Sequence, residues 1–269
     1  MKLVQKLPWT FSFVLEWWPY LSLRSIIRLR DYEIRNERGD AIPDRVLTLD
    51  MRSPIKGEVS FREVGSDILT FNEILHEQAY RVVLPHVKEC CSAIDLGAGT
   101  GLTTLYLAAH YPLCKFLSVE PHPGSYQLMT LNLNHLVDEG RCRTLLAAVW
   151  EKETMLVGAV PDYPEHYSIF EVREPTGASE DQAETIGLSM PGIIAESGFE
   201  TIDILKVDIE GSEIQLFRGD LSWLASVKCI VIAFHGDSRK VSGFDDVMQQ
   251  HGFRVIDSGT DTYVAVREP

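Results

Sequence analysis

The sequence lacks any apolar run long enough to cross a bilayer: a spanning helix needs about 20 apolar residues in succession, and Glu16 and Pro19 interrupt the N-terminal aromatic stretch. No clean apolar core precedes a small-residue cleavage site either, so a secretory signal is not expected. Cysteine is scarce. The five residues, Cys90, Cys91, Cys114, Cys142 and Cys229, are odd in number and include no Cys-x-x-Cys pair. That speaks against a disulfide framework or a zinc cluster and makes a reducing cytoplasm the expected location. Positive charge is in deficit, 25 Lys and Arg against 39 Asp and Glu, for a formal net charge of −14. Such a chain repels a phosphate backbone, and nucleic acid is not an expected partner. Fixed-period repeats and low-complexity tracts are missing as well, which removes solenoids and propellers. What remains is a chain of 269 residues, 45% of them apolar, able to fill a substantial core.

The charge is uneven. Residues 1–62 hold eleven Lys and Arg against eight Asp and Glu, while the remainder holds fourteen against thirty-one. Only the N-terminal part is basic. It also carries Trp9, Phe11, Phe13, Trp17, Trp18 and Tyr20 between Lys2 and Lys6 on one side and Arg24, Arg28 and Arg30 on the other. Two readings stand side by side: the aromatics pack on the protein's own body or on a partner subunit of an oligomer, or they make a peripheral contact with a membrane surface.

Three segments follow from this pattern: a basic, aromatic extension over residues 1–62, a helical cap over 63–90, and an α/β domain over 91–269. In the cap, Thr70-x-x-Glu73 reads as a capping box, with Leu69, Ile74, Leu75, Ala79, Val82 and Val83 as an apolar face. From residue 91 short apolar runs alternate with helical patterns. Strands are expected at Cys91–Leu96, Lys115–Glu120, Cys142–Val149, Ile202–Ile209 and Lys228–Phe234, with helices at Leu102–His110, Ser125–Val137, Pro191–Ser197 and Gly243–His251. Strand, helix, strand means a parallel sheet. Phe253–Ile256 and Thr262–Val266, separated by a short turn, form a closing hairpin that ends the sheet on an antiparallel strand. Residues 161–184, with Pro161, Pro164, Pro175, Gly177 and seven acidic residues against Arg173, read as an inserted loop or lid. Such a lid favours a neutral or cationic acceptor, unless it is a solvated insertion with no chemical role.

The strongest local signal is Asp95-Leu96-Gly97-Ala98-Gly99-Thr100-Gly101, at the end of one strand and the start of a helix. Glycines let a ligand approach the backbone, and a helix start offers unpaired N–H groups. A dinucleotide fingerprint wants G-x-G-x-x-G, whereas here the third glycine falls two residues after the second. The spacing suits S-adenosylmethionine, whose cationic amino group calls for the nearby Asp95 carboxylate. An NAD-dependent oxidoreductase is disfavoured by the same spacing. Twenty-five residues after Asp95, the second strand ends in Glu120-Pro121, an acid placed to accept both ribose hydroxyls. At the third strand's end, Ala147, Ala148 and Val149 leave room for an adenine ring.

The second cluster is Lys206-Val207-Asp208-Ile209-Glu210-Gly211-Ser212-Glu213. A strand carrying Asp208 and Glu210 two residues apart points both carboxylates to one side at the carboxyl edge of the sheet. There they could bind a divalent ion such as Mg²⁺, hold a hydroxyl or take its proton. Ser212-x-x-Gln215 reads as a capping box, with Glu213 in the first helical turn. His235, at the end of the next strand, lies beside Asp208 in strand order and titrates near neutrality, so an imidazole and two carboxylates converge.

From Arg62 to His235 these residues resemble the FkbM-type S-adenosylmethionine-dependent methyltransferases, O-methyltransferases of sugars and polyketide-like natural products. The resemblance rests on Gly65-Ser66-Asp67 with Phe71 and Tyr80, on the glycine loop, on Glu120-Pro121-His122-Pro123 with Asn132 and Asn134, and most specifically on Lys-x-Asp-x-Glu-Gly-x-Glu at 206–213. It implies a Rossmann-like class I methyltransferase fold: a mostly parallel seven-stranded sheet, helices on both faces, a C-terminal antiparallel hairpin and an N-terminal helical extension. It implies that Asp95, Gly97, Ala98, Gly99, Gly101, Glu120, Pro121 and Ala148 hold the cofactor. Ser66, Asp67 and Tyr80 would close over it, and Asp208, Glu210 and His235 would face the acceptor hydroxyl of a small molecule or glycan, with Asp208 or His235 taking its proton. One departure is Ala233, where the family usually carries an acid. It alters a metal or base site without touching the cofactor, and gives some footing to a scaffold that binds cofactor without turnover.

Overall fold

The computed structural model describes residues 9–42, 45–159, 170–175, 183–259 and 262–268. Chain order begins with helices α1 (Trp9–Trp17) and α2 (Leu23–Glu37) and an antiparallel hairpin of β1 (Val46–Met51) and β2 (Gly57–Arg62). The cap follows as α3 (Asp67–Asn72), a π-helical turn at Glu73–Glu77 and a 3₁₀ turn at Ala79–Val83. The remaining strands are β3 (Ser92–Leu96), β4 (Lys115–Glu120), β5 (Cys142–Leu146), β6 (Ala148–Val149), β7 (Thr154–Ala159), β8 (Glu171–Arg173), β9 (Ala183–Leu188), β10 (Ile204–Val207), β11 (Cys229–Ala233), β12 (Phe253–Asp257) and β13 (Thr262–Arg267).

Seven strands form the central sheet in the order β12-β13-β11-β10-β3-β4-β5. The pairs from β11 through β5 are parallel, and β13 runs antiparallel to both β11 and β12. This is the mostly parallel sheet the alternation predicts and the Rossmann-like fold the resemblance implies, with one adjustment: the antiparallel strand is wedged between β11 and β12, so the edge belongs to β12. Side chains alternate across the sheet and divide the core in two. Ala93, Phe116, Ile204 and Val231 face the N-terminal segments and the helix Leu102–His110. Ile94, Leu117, Leu205, Val207 and Ile230 face the helices Met190–Ser197 and Phe244–Gln250.

The N-terminal segment is part of the first of these cores. Phe13 and Trp17 are buried, and the Trp17 ring stacks on Phe71 of the cap at 5.4 Å. That carries the packed reading for these two residues; Trp18 is exposed, and the side chains of Trp9 and Phe11 lie outside the described residues. Asn132 fastens the hairpin to the rest. Its amide nitrogen donates to Ser60 O and Thr100 O, each at 2.8 Å, and its oxygen accepts from Ser60 N–H at 2.8 Å.

Several local expectations give way to tertiary packing. The expected strand Cys142–Val149 is two strands, because β6 leaves the central sheet and pairs with β9 in a four-stranded sheet of order β6-β9-β7-β8. The helix expected at Ser125–Val137 breaks into Pro123–Asn132 and Asn134–Asp138. Thr70 caps nothing, since α3 starts at Asp67, and Leu69 is exposed rather than on the apolar face. Ser212 begins its helix without a side-chain cap bond. Within the expected lid, Glu171–Arg173 and the start of β9 are strand; residues 161–169 and 176–182 lie outside the described residues. Among the described residues, no helix is long and apolar enough to cross a membrane.

Candidate active site

A cavity of about 830 Å³, counted out to its mouth, opens at the carboxyl edge of β3, β4 and β10. The three glycines of the loop after β3 do different things there. A Cβ on Gly97, at φ +70°, would stand 1.7 Å from the Asp208 carbonyl oxygen, so this glycine exists for the close approach of the two strand ends. Gly101, at φ +85°, caps the following helix, and a Cβ there would meet Leu133 at 3.0 Å. Only Gly99, at φ +56°, lines the cavity with no atom within 4 Å of its would-be Cβ. It is the one that leaves the backbone bare to a ligand.

Glu120 is buried on the cavity wall and is held by the loop itself. Its Oε2 accepts from Gly99 N–H at 2.8 Å and its Oε1 from His122 N–H at 2.9 Å. A carboxylate has about four acceptor positions, so two remain for a ligand. Burial pushes its pKa up to about 7, against the pull of those two N–H groups and of Lys206 and Arg62. Beside it Pro121, Ala147, Ala148, Val149, Val172 and Phe170 make an apolar wall. The Phe170 ring packs 5.0 Å from the His122 imidazole.

Asp95 does not line the cavity. It is buried below the loop, where its Oδ2 accepts from Thr104 Oγ1 at 2.7 Å and its Oδ1 lies 3.1 Å from Lys206 Nζ. Lys206, also buried, donates to Gly97 O at 2.6 Å and Leu96 O at 3.2 Å. Burial works against its charge, but Asp95 and Asp208 outweigh it and raise its pKa. The expected contact between Asp95 and the cofactor's amino group gives way to a structural role: the acid neutralises the ammonium that ties down the glycine loop.

At the other end of the cavity stand Asp208 and Glu210. They are not on a strand: β10 ends at Val207, and Glu210 takes a left-handed backbone at φ +50° followed by Gly211 at φ +91°. The turn, rather than strand alternation, brings the two carboxylates together. Tyr80 of the cap donates to Asp208 Oδ2 at 3.3 Å. His235 lies at the edge of the group, outside the cavity lining, with Nε2 3.3 Å from Glu210 Oε2 and 3.6 Å from Asp208 Oδ1. Its Nδ1 is bonded at 3.0 Å to the buried Glu213, and that bond, with the three acids around the ring, raises its pKa to about 9 despite partial burial. Burial lifts Glu210 to about 7; Asp208 and Glu213 add to this and the His235 charge opposes it.

Ser66 and Asp67 do not reach the cavity. Asp67 is locked by Arg62, whose Nε and Nη2 donate to its two oxygens at 2.9 and 2.7 Å, while the same guanidinium reaches Ser125 Oγ at 2.9 Å. The cap instead contributes Thr70, Glu73, Ile74 and Tyr80 to the lining. Sequence reasoning overlooked Phe170, which sits in an insertion without a motif, and gave no role to Lys206, although its place beside Asp208 in a buried strand marks it as an ammonium in need of partners.

The FkbM methyltransferase domain model matches residues 95–255. The chain belongs to that family. Among curated proteins it is 24% identical to the AMB antimetabolite synthetase AmbE of Pseudomonas aeruginosa over 72% of this chain and 11% of that protein. It is 26% identical to the methyltransferase sdnD of Sordaria araneosa over 47% of this chain and 59% of that one. It is 22% identical to the 31-O-demethyl-FK506 methyltransferase FkbM of Streptomyces tacrolimicus over 77% of this chain and 89% of that one. The chain thus spans under two thirds of the first two of these relatives. A solved FkbM methyltransferase from Methylobacillus flagellatus aligns over 66% of this chain and 43% of its own, at 13% identity and a TM-score of 0.46. The fibrillarin of Aeropyrum pernix, solved with S-adenosyl-L-methionine bound, aligns over 67% and 68%, at 13% identity and a TM-score of 0.40.

Proposed function

We propose that this chain transfers a methyl group from S-adenosylmethionine to a hydroxyl of a sugar, a glycan or a related natural product. One observation carries the reading: a single cavity joins a glycine loop and a buried strand-end acid to Asp208 and Glu210, with His235 against both. The residues fit the cofactor. Gly99 leaves an open cradle that a Cβ would fill, Glu120 keeps acceptor capacity for a ribose, and the apolar wall of Ala148, Val149 and Phe170 suits a flat base. When bound, the cofactor supplies an electrophilic methyl on a sulfonium.

The chain's part is alignment, which can contribute about 7–11 kcal/mol to lowering such a barrier. Tyr80 fixes Asp208, Asp208 and Glu210 share the acceptor hydroxyl's single proton as a hydrogen bond, and Glu210, poised near neutrality, keeps it as the C–O bond forms. His235 stays charged at neutral pH through Glu213 and steadies the two acids rather than acting as the base. A second reading is favoured by ligand geometry: one atom each of Asp208, Glu210 and His235 lie within 4.8 Å of one another, the spacing of a divalent-cation site. An imidazole donor suits Mn²⁺, Fe²⁺ or Zn²⁺ better than Mg²⁺, and such an ion would polarise the acceptor hydroxyl.

The test is incubation with labelled S-adenosylmethionine and a panel of hydroxylated acceptors, with and without metal. Glu120→Ala is expected to abolish cofactor binding, and Asp208→Ala to spare binding and stop transfer. Normal methylation by both variants rejects the assignment. Cofactor binding with no product from any acceptor points to the non-catalytic scaffold.

A further inference from the structure

The N-terminal unit carries a surface that its own fold leaves uncovered. On α2, Ser25, Ile26, Leu29 and Tyr32 are buried against the body, which turns Leu23, Arg24, Ile27 and Arg28 outward. The spacing i, i+1, i+4, i+5 makes an apolar stripe and a basic stripe side by side. Ile27 is 62% exposed and Leu23 51%. Just before α2, Trp18 is 47% exposed, with the Arg52 guanidinium 4.5 Å from its ring.

The charges on this helix sort themselves. Glu33 and Glu37 lie at 2.7 and 3.8 Å from Arg30, and Asp31, the acid on the outward face, pairs with Arg35. Arg24 and Arg28 make no ion pair among the described residues, and Arg28 reaches only the Thr48 carbonyl at 3.2 Å. Large apolar side chains beside unpaired guanidiniums are uncommon on a chain of net charge −14. Apolar groups alone would suit a second copy of the chain, but two such copies would also face their arginines to one another.

We propose that this face docks on an anionic lipid bilayer. Leu23, Ile27 and Trp18 insert at the level of the headgroups, and Arg24, Arg28 and Arg52 pair with lipid phosphates and carboxylates. The contact is peripheral and salt-sensitive. Because Asn132 ties the neighbouring hairpin to the glycine loop, a docked unit holds the cavity in a fixed orientation to the surface.

The experiment is co-sedimentation of the full chain with phosphatidylcholine vesicles, with and without phosphatidylserine, at low and high salt. The wild type is expected to pellet with the phosphatidylserine vesicles at low salt and to be released by high salt. Arg24→Glu with Arg28→Glu weakens binding by about tenfold or more, and Leu23→Ser with Ile27→Ser does the same. These positions are exposed, and circular dichroism checks that each variant keeps its fold. Failure of the wild type to bind, equal binding to neutral vesicles, or undiminished binding by both double variants overturns the proposal. So does a wild-type dimer in solution that Ile27→Ser converts to monomer without any vesicle binding.

Discussion

Lys206 and Asp95 face one another at 3.1 Å beneath the glycine loop, and neither reaches the surface. The pair joins β10 to β3 at the point where the cofactor cradle begins, since Lys206 also donates to the Leu96 and Gly97 carbonyls. Removing Asp95 leaves the buried ammonium with only the more distant Asp208 carboxylate, at 3.8 Å, and two carbonyls, which costs up to about 3–5 kcal/mol. Asp95→Ala is therefore expected to lower the urea midpoint sharply and to loosen cofactor binding through the loop. Asp95→Asn combined with Lys206→Met, which removes both charges of the pair, recovers most of the stability. Equal destabilisation by the single and double changes refutes the argument.

The glycines predict a contrast. Gly97→Ala drives a methyl into the Asp208 carbonyl, and backbone cannot step aside as a side chain can, so the expected loss is roughly 3 kcal/mol or more. Gly99→Ala has space, and its left-handed backbone costs only about 1 kcal/mol. Its methyl, however, enters the cradle. Thermal unfolding and titration with S-adenosylhomocysteine separate the two: the first variant loses the fold, the second keeps it and loses affinity.

These differences show which parts of the site the sequence could reveal. β3, β4 and the helix between them are legible because a continuous apolar run, a glycine loop and a helical period lie next to one another in the chain. Asp208 and Glu210 are picked out for their pairing, yet the reason given for it, strand alternation, is replaced by a left-handed turn at Glu210 that no local pattern encodes. Asp95 is misplaced because its partner Lys206 lies 111 positions away, and the two meet only through the pairing of β3 with β10. Phe170 is absent from the sequence reading because β6 abandons the central sheet and carries the insertion with it.

The acid on β4 makes affinity depend on pH. Glu120 titrates at about 7, raised from the ordinary carboxylate range mainly by burial, and the ionised form is the one that accepts two hydroxyls. The sign follows. Below pH 7 the carboxyl holds a proton and binding weakens, and above it the carboxylate dominates. Between pH 6 and pH 8 the ionised fraction rises about tenfold for such a group, and S-adenosylhomocysteine affinity measured by calorimetry is expected to rise with it. Glu120→Gln should bind weakly at every pH. A wild-type affinity that is flat or falls over this range contradicts the assignment of Glu120 to the ribose.

The cluster of Asp208, Glu210 and His235 separates its two readings by proton release. At pH 7 His235 holds a proton that the Glu213 bond stabilises, with a pKa of about 9. A divalent cation needs the neutral ring, with Nε2 free and Nδ1–H still donating to Glu213. Binding of Mn²⁺ must therefore expel a proton, and its heat should differ between buffers of different ionisation enthalpy. Glu213→Gln, which weakens the support behind the imidazole, is expected to lower Mn²⁺ affinity by about 10–100-fold. If the chain gives no Mn²⁺ heat in either buffer and methylates equally well in the presence of a chelator, the cation reading falls. The carboxylates then keep the proton-accepting role alone.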